Sequence, residues 1–199
     1  MINLEQFEQG MRLDQYMASL ERNKENFRAN FIKATELFTA DDMVFFRKMP
    51  YKVNIVVLTD DENADALRDV PIIGRLSVEV GTLKLKIFRR QTAAVVEAVA
   101  HLNDGHAPVP AIMFFDQSMA LLGQFVLRLP DLTDEMVRRR SEWVEAHPEI
   151  RDAHEPTDKM SPITRTRLTQ TIYAMTPDQR TSWGRKTVKA WREILEIKN

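Results

Sequence analysis

Between Thr59 and Val70 the chain reads Asp60-Asp61-Glu62-Asn63-Ala64-Asp65-Ala66-Leu67-Arg68-Asp69, a density of carboxylates that could act as acid and base. Asp61 and Asp65 are four residues apart, so on a helix they share a face, where two carboxylates can divide the roles of general acid and base. The same acids equally suit the start of a helix, whose free amide groups favour negative charge. A second cluster, His101, Asp104 and His106, gathers donor types found in zinc sites. Its spacing matches no HExxH or comparable pattern, and histidines near a glycine turn also occur as plain surface, so no metal site is expected. No serine lies in a GxSxG elbow, and neither a GxGxxG nor a P-loop pattern occurs, so no cofactor is expected.

None of the 199 residues is cysteine, which removes disulfides, thiolate metal ligation and every reaction whose nucleophile is a thiolate. With 28 basic against 29 acidic residues there is no overall pull toward nucleic acid or an anionic bilayer, and neither is expected as a partner. The opening Met1-Ile2-Asn3-Leu4-Glu5 shows no basic or apolar run, so a cytoplasmic location is expected. Charge is uneven, however. From Ser161 onward eight basic residues (Arg165, Arg167, Arg180, Arg185, Lys186, Lys189, Arg192, Lys198) face three acids (Asp178, Glu193, Glu196). A C-terminal amphipathic helix carries Trp183, Thr187, Trp191, Ile194 and Leu195 as its stripe; it either binds an acidic surface or buries both tryptophans in its own core, and burial is the expectation.

The elements that must position these residues follow from periodicity. Leu4 to Leu20 repeats apolar residues at helical spacing, weakened at Gly10; Phe27 to Phe38 continues in a second helix, and Thr39–Asp42 begins a short third. Val53–Leu58 is a continuous β-branched run, as in a strand covered on both faces, whereas Leu83–Phe88 alternates like an edge strand with one wet face. Ala111–Phe115 and Ala120–Val126 are strands joined by the hairpin Asp116-Gln117-Ser118. Helices are predicted over about 63–80, where Pro71 should kink or break the run, and about 92–102, with Ala93, Val96, Val99 and Ala100 on one side. Beyond Pro130 come a helix over 131–146, a polar linker candidate over 149–159, and helices opened by Ser161-Pro162 and Thr176-Pro177. The organisation expected is a single domain over 1–199: N-terminal helices (1–50), an α/β core with a small mixed sheet (51–130) and a helical extension (131–199).

Several local signatures resemble a bacterial thioredoxin-like family. Thr59 to Pro71 is similar to its active-site turn, in which an acidic residue and a tryptophan precede the reactive cysteine, an aspartate follows, and a proline lies further along the helix. Gly105-His106-Ala107-Pro108-Val109-Pro110-Ala111 resembles the loop before its cis-proline, with Pro110 in that role; Gly123-Gln124-Phe125, Arg128 and Pro130 resemble the stretch after its last strand. The match spans roughly residues 11–130 and implies a thioredoxin-like α/β fold of about four strands. It also implies that Asn63 stands at the nucleophilic cysteine, Ala66 at the second cysteine and Glu62 at the tryptophan.

The resemblance further implies a groove beside Asp61, Asn63, Asp65, Ala66, Val109 and Pro110, in which an extended protein or peptide partner could pair with the backbone of Val109. The expected function is therefore a non-catalytic binding protein. Two alternatives stay open: an enzyme of a non-thiol kind using Asp61, Asp65 or His106, and a homodimer built through the C-terminal helices. One consequence needs no fold. Disulfide exchange passes through a mixed disulfide, so the chain should give no turnover in an insulin-reduction assay, and measurable reduction would overturn this reading.

Overall fold

Val53–Thr59 (β1) is buried along its whole length, with no alternation between wet and dry residues. Such a strand must lie inside a sheet with both faces covered. The sheet order is β2-β1-β3-β4, where β2 is Leu83–Arg89, β3 is Ala111–Phe115 and β4 is Leu121–Val126. β1 runs parallel to β2, from Val53↔Leu83 to Thr59↔Arg89, and antiparallel to β3, where Leu58 faces Ala111. The computed structural model describes residues 2–157 and 159–196. The chain gathers into two compact units, one of residues up to Leu127 together with those from Thr181, the other of Arg128–Arg180. The segment after 131, read from sequence as one extension, is thus shared between them.

In the first unit, the helical pattern of residues 4–20 divides into α1 (Leu4–Glu8) and α2 (Leu13–Ser19). Between them Met11 lies against β2, its N–H and C=O each bonded to Ile87 at 2.9 Å. The approach requires Gly10, since a Cβ there would stand 2.5 Å from the Phe88 ring. β2 consequently has less of a wet face than its alternation predicts. Lys84 is exposed, but Lys86 is 8% exposed, its Nζ donating to the carbonyls of Glu8 (3.0 Å) and Gly10 (3.3 Å). A buried ammonium requires such acceptors.

Next come α3 (Lys24–Lys33), a 3-10 turn (Ala34–Leu37) and α4 (Ala40–Arg47), which starts with a capping box between Thr39 and Asp42. α5 (Ala64–Glu79) crosses from β1 to β2 and continues through Pro71, so that of the kink or break expected there the break does not occur. Proline cannot donate to the carbonyl four residues back, that of Leu67; the Asn30 side-chain amide donates to it instead, at 2.8 Å. α6 (Ala93–Leu102) buries Val95 and Val99 against Val56, Leu58, Met113 and Phe115; of the expected face, Val99 is buried, Val96 and Ala100 are half-buried and Ala93 is exposed. The β3–β4 hairpin closes on Asp116, whose Oδ1 accepts from the N–H groups of Ser118 (2.8 Å) and Ala120 (2.9 Å).

α7 (Pro130–Ala146) and α8 (Pro162–Ile172) form the second unit around Trp143, Ala153, Met160 and Leu168. The stretch 149–159, expected as a linker, lies inside this unit. Ala153 is fully buried, and Asp152 accepts from Ser161 N–H (2.6 Å) and Thr164 Oγ1 (2.6 Å). α9 (Pro177–Glu196) begins here and from Thr181 belongs to the first unit. Its Trp191 is fully buried, edge-on to Phe125 at 6.0 Å, but Trp183 is half-buried, with Lys186 Nζ 4.3 Å from its ring centre. The buried face of α9 is Gly184, Thr187, Val188, Trp191 and Leu195, and at about 100° per residue Trp183 falls on its flank. Lys198 lies outside the described residues. Among those described, no helix is long and apolar enough to cross a membrane.

Hydrogen bonds from Thr164 and then Ser161 hold the Asp152 carboxyl below the ordinary carboxylate range. A depressed folded-state pKa adds stability above the unfolded value, and that stability disappears as pH falls. Thermal melts followed by Trp143 fluorescence should therefore weaken below about pH 4, and Asp152→Asn should flatten that dependence. An unchanged acid limb in the variant would contradict the assignment.

Candidate functional site

β1 ends at Thr59, and the chain must turn before α5 can start. Asn63 ends the turn: its side-chain oxygen accepts from the N–H groups of Asp65 (2.9 Å) and Ala66 (3.0 Å), satisfying two of the free amides of the first helical turn. Asp60 Oδ1 accepts from Glu62 N–H at 3.0 Å. The register Leu58↔Ala111 puts this turn at the same end of the sheet as the segment entering β3, and Thr59↔Arg89 adds the end of β2. Asp61 and Asn63 follow β1, Asp65 and Ala66 open α5, and Val109 and Pro110 precede β3, so these positions lie at the same end of two neighbouring strands.

Asp61 organises that end. Tyr16 OH donates to its Oδ1 at 2.9 Å, Arg89 Nε donates to its Oδ2 at 2.9 Å, and Arg89 Nη2 stands 2.8 Å from the same oxygen. Asn23 Nδ2 donates to its backbone carbonyl at 3.2 Å. Arg89 lies over the Tyr16 ring at 5.3 Å and donates to Ser19 Oγ at 2.9 Å, while Arg22 pairs with Glu62 at 2.6 Å. Burial, and then the charge of Asp61, raise the Tyr16 phenol's pKa, so the hydroxyl stays a donor. The hydrogen bond to Asp61 is the main reason that the Arg89 guanidinium is held more firmly protonated than usual.

Asp65 is 1% exposed and pairs with Arg68 Nη1 at 2.6 Å; Asp69, fully buried, takes Arg68 Nη2 at 2.7 Å. Burial alone would weaken the charge on Arg68, but Asp69 and Asp65 more than offset it. Asp61 and Asp65 are thus bound to different arginines and do not form a carboxylate couple. Ala66 is buried behind them. Across the sheet end the Val109–Pro110 peptide is cis; Val109 is 4% exposed, Pro110 is buried, and the Pro110 carbonyl accepts from Leu127 N–H at 2.8 Å. His106 is exposed on the loop before them. No three described His, Asp or Glu side chains gather as a metal ion would require.

Sequence reasoning missed Tyr16, Ser19, Arg22, Asn23 and Arg89. Tyr16 carried only a helix periodicity, and its partner is 45 residues away. Two surface hollows, of about 630 Å³ beside Gln6, Glu97 and His101 and about 510 Å³ beside Thr39, Asp42 and Arg185, include none of the positions expected in the groove.

A family model described as thioredoxin matches residues 10–151. Among solved structures the chain is similar to a protein of unknown function from Pseudomonas aeruginosa, at a TM-score of 0.70 and 10% identity over 100% of both chains. It is also similar to an HIV epitope-scaffold, at a TM-score of 0.64 and 11% identity over 96% of both chains. No curated protein matches the sequence. At such identities the structures speak for the fold alone.

If Asn63 serves as a cap, Asn63→Ala should destabilise the fold by about 0.5–2 kcal/mol in chemical denaturation, and Asn63→Asp by much less. Equal losses for both variants would mean that its side-chain oxygen is not what holds the turn.

Proposed function

Because the chain belongs to this thioredoxin family and contains no cysteine, we propose that it is a redox-inactive member that works by binding, holding an extended protein or peptide segment at the sheet end where the turn Asp60–Asn63 meets the loop before β3. The observation that carries this reading is Asn63. It stands where the resemblance puts the nucleophile, and its side-chain oxygen is already occupied by two amides of α5. The other polar side chains of the turn also have partners within the chain: Asp60 with Glu62 N–H, Asp61 with Tyr16 and Arg89, Glu62 with Arg22. A turn whose acids are each held by another group is poorly suited to proton transfer, which favours binding over a non-thiol enzyme.

The positions divide by burial. Asp61 and Asn63 are half-buried and form the rim, whereas Asp65, Ala66, Val109 and Pro110 are buried and shape the surface from beneath. With Val109 covered, backbone pairing falls to its neighbours Ala107 and Pro108, which are half-buried, and the Ala107 carbonyl accepts from Arg90 at 3.3 Å. The reading places the protein without a membrane or nucleic-acid partner and in the cytoplasm, in keeping with its near-neutral charge.

Titrating isotope-labelled protein with carboxymethylated, permanently unfolded lactalbumin tests the site. Amide shifts should concentrate at residues 60–63, 90–92 and 105–107. Shifts confined to other surfaces, or none at all, would overturn the proposal.

A further inference from the structure

The sheet has two edges, and the chain treats them differently. β2 is guarded: Met11 pairs with Ile87 through both backbone groups, Lys84 stands exposed beside it, and Lys86 reaches back to the carbonyls of Glu8 and Gly10. Added chain, charge and lysine are the usual means by which a sheet edge is closed to further strands. β4 has none of them. Among the described residues it pairs with β3 alone, and from Gln117 to Leu127 the chain contains neither a charge nor a proline.

Both faces of β4 are nevertheless covered. Leu121 and Val126 pack into the cluster that includes Val95 and Val99 of α6, while Phe125 meets Trp191 and a Cβ on Gly123 would stand 2.5 Å from Ile194. Yet Leu121, Leu122, Gly123 and Gln124 all remain partly exposed. Gly123 has no side chain, so what water reaches there is backbone, along the open edge.

Which groups face outward follows from the ladder. Leu127 donates to the Pro110 carbonyl, one step beyond the pair Ala111↔Val126. Bonded and non-bonded pairs alternate between antiparallel strands, so Leu127, Phe125 and Gly123 direct their backbone groups to β3 and Val126 and Gln124 direct theirs away. Leu122 falls at the bulge where the register slips between Phe114 and Phe115, which leaves Gly123–Val126 as the regular open stretch.

We propose that this edge takes β4 of a second copy of the chain, antiparallel about a two-fold axis through Gln124, joining two four-stranded sheets into one. Outward groups can bond only to outward groups, which sets Gln124 opposite the partner's Gln124. Gly123 then faces the partner's Phe125, and no charges oppose one another. A strand complementary to itself in this register is what an isologous interface needs, and it favours a second copy over an unrelated peptide. The surface is independent of the turn at Asn63.

The full chain tests this directly. Light scattering over a concentration series should approach twice 23.1 kDa. Gln124→Pro removes an N–H that β3 does not use, so it should give a monomer with an unchanged circular dichroism spectrum. Since the protein has no cysteine, Gln124→Cys supplies a single thiol. On the axis the two Cα atoms would stand about 5.5 Å apart, within disulfide reach. Mild oxidation should therefore link Gln124→Cys into a covalent dimer much faster than Ser182→Cys, an exposed control on α9. If Gln124→Pro fails to fold, the cross-linking alone decides. A wild-type protein monomeric at every concentration overturns the proposal, and so does a dimer that links through Ser182→Cys but not Gln124→Cys.

Discussion

The carboxylate of Asp61 sits between the Tyr16 phenol and the Arg89 guanidinium, and the packing of the N-terminal helices on the sheet depends on that contact. Tyr16 is 1% exposed, and a phenol that deep needs an acceptor for its hydroxyl. Arg89, half-buried at the end of β2, needs an anion, and it also lies on the Tyr16 ring and reaches Ser19. Removing Asp61 would leave a hydroxyl and a cation without their partner at once, which is why paired groups of this kind are far more costly to break than to replace together. The turn Asp60–Asn63 thus serves to join α2, β1 and β2.

The same substitution of structure for chemistry runs into α5. Its buried acids, Asp65 and Asp69, share Arg68, so the cluster of carboxylates that invites an acid–base reading is an ion-pair network in the helix. Farther along, Pro71 leaves the Leu67 carbonyl without its helical donor, and Asn30 of α3 supplies one. A proline that would otherwise break the helix becomes a point of attachment between α3 and α5. Both cases follow one rule: a buried polar group must find a partner, and where the helix cannot provide it, a neighbouring element does.

Short-range patterns were legible. The β-branched run of β1, the Asp116 hairpin and the caps at Thr39 and Ser161 are each specified by residues a few positions apart, and each forms where the sequence predicts it. The order of strands and helices, with the signatures around Thr59–Pro71 and Gly105–Ala111, was enough to identify the thioredoxin fold. Misreadings arose where burial depended on distant chain. Lys86 looks like a wet-face residue until Glu8 and Gly10 fold over it, the polar stretch 149–159 looks like a linker until Asp152 meets Thr164, and Trp183 looks buried until the face of α9 that meets the sheet is known to run through Gly184, Val188 and Trp191.

By itself the sequence determined the absence of thiol chemistry, because a nucleophile that is not encoded cannot be created by folding. It also determined the local elements, whose energetics lie in residues within a turn or two of each other. Only the tertiary structure decided which charges meet: Tyr16 and Asp61 are 45 residues apart, Arg89 and Asp61 are 28 apart, and no periodicity links them. It likewise decided that one sheet edge is closed by Met11 while the other, among the described residues, pairs with β3 alone. Pairing of that kind depends on register and on the close approach allowed at Gly10, quantities that exist only once the strands are side by side.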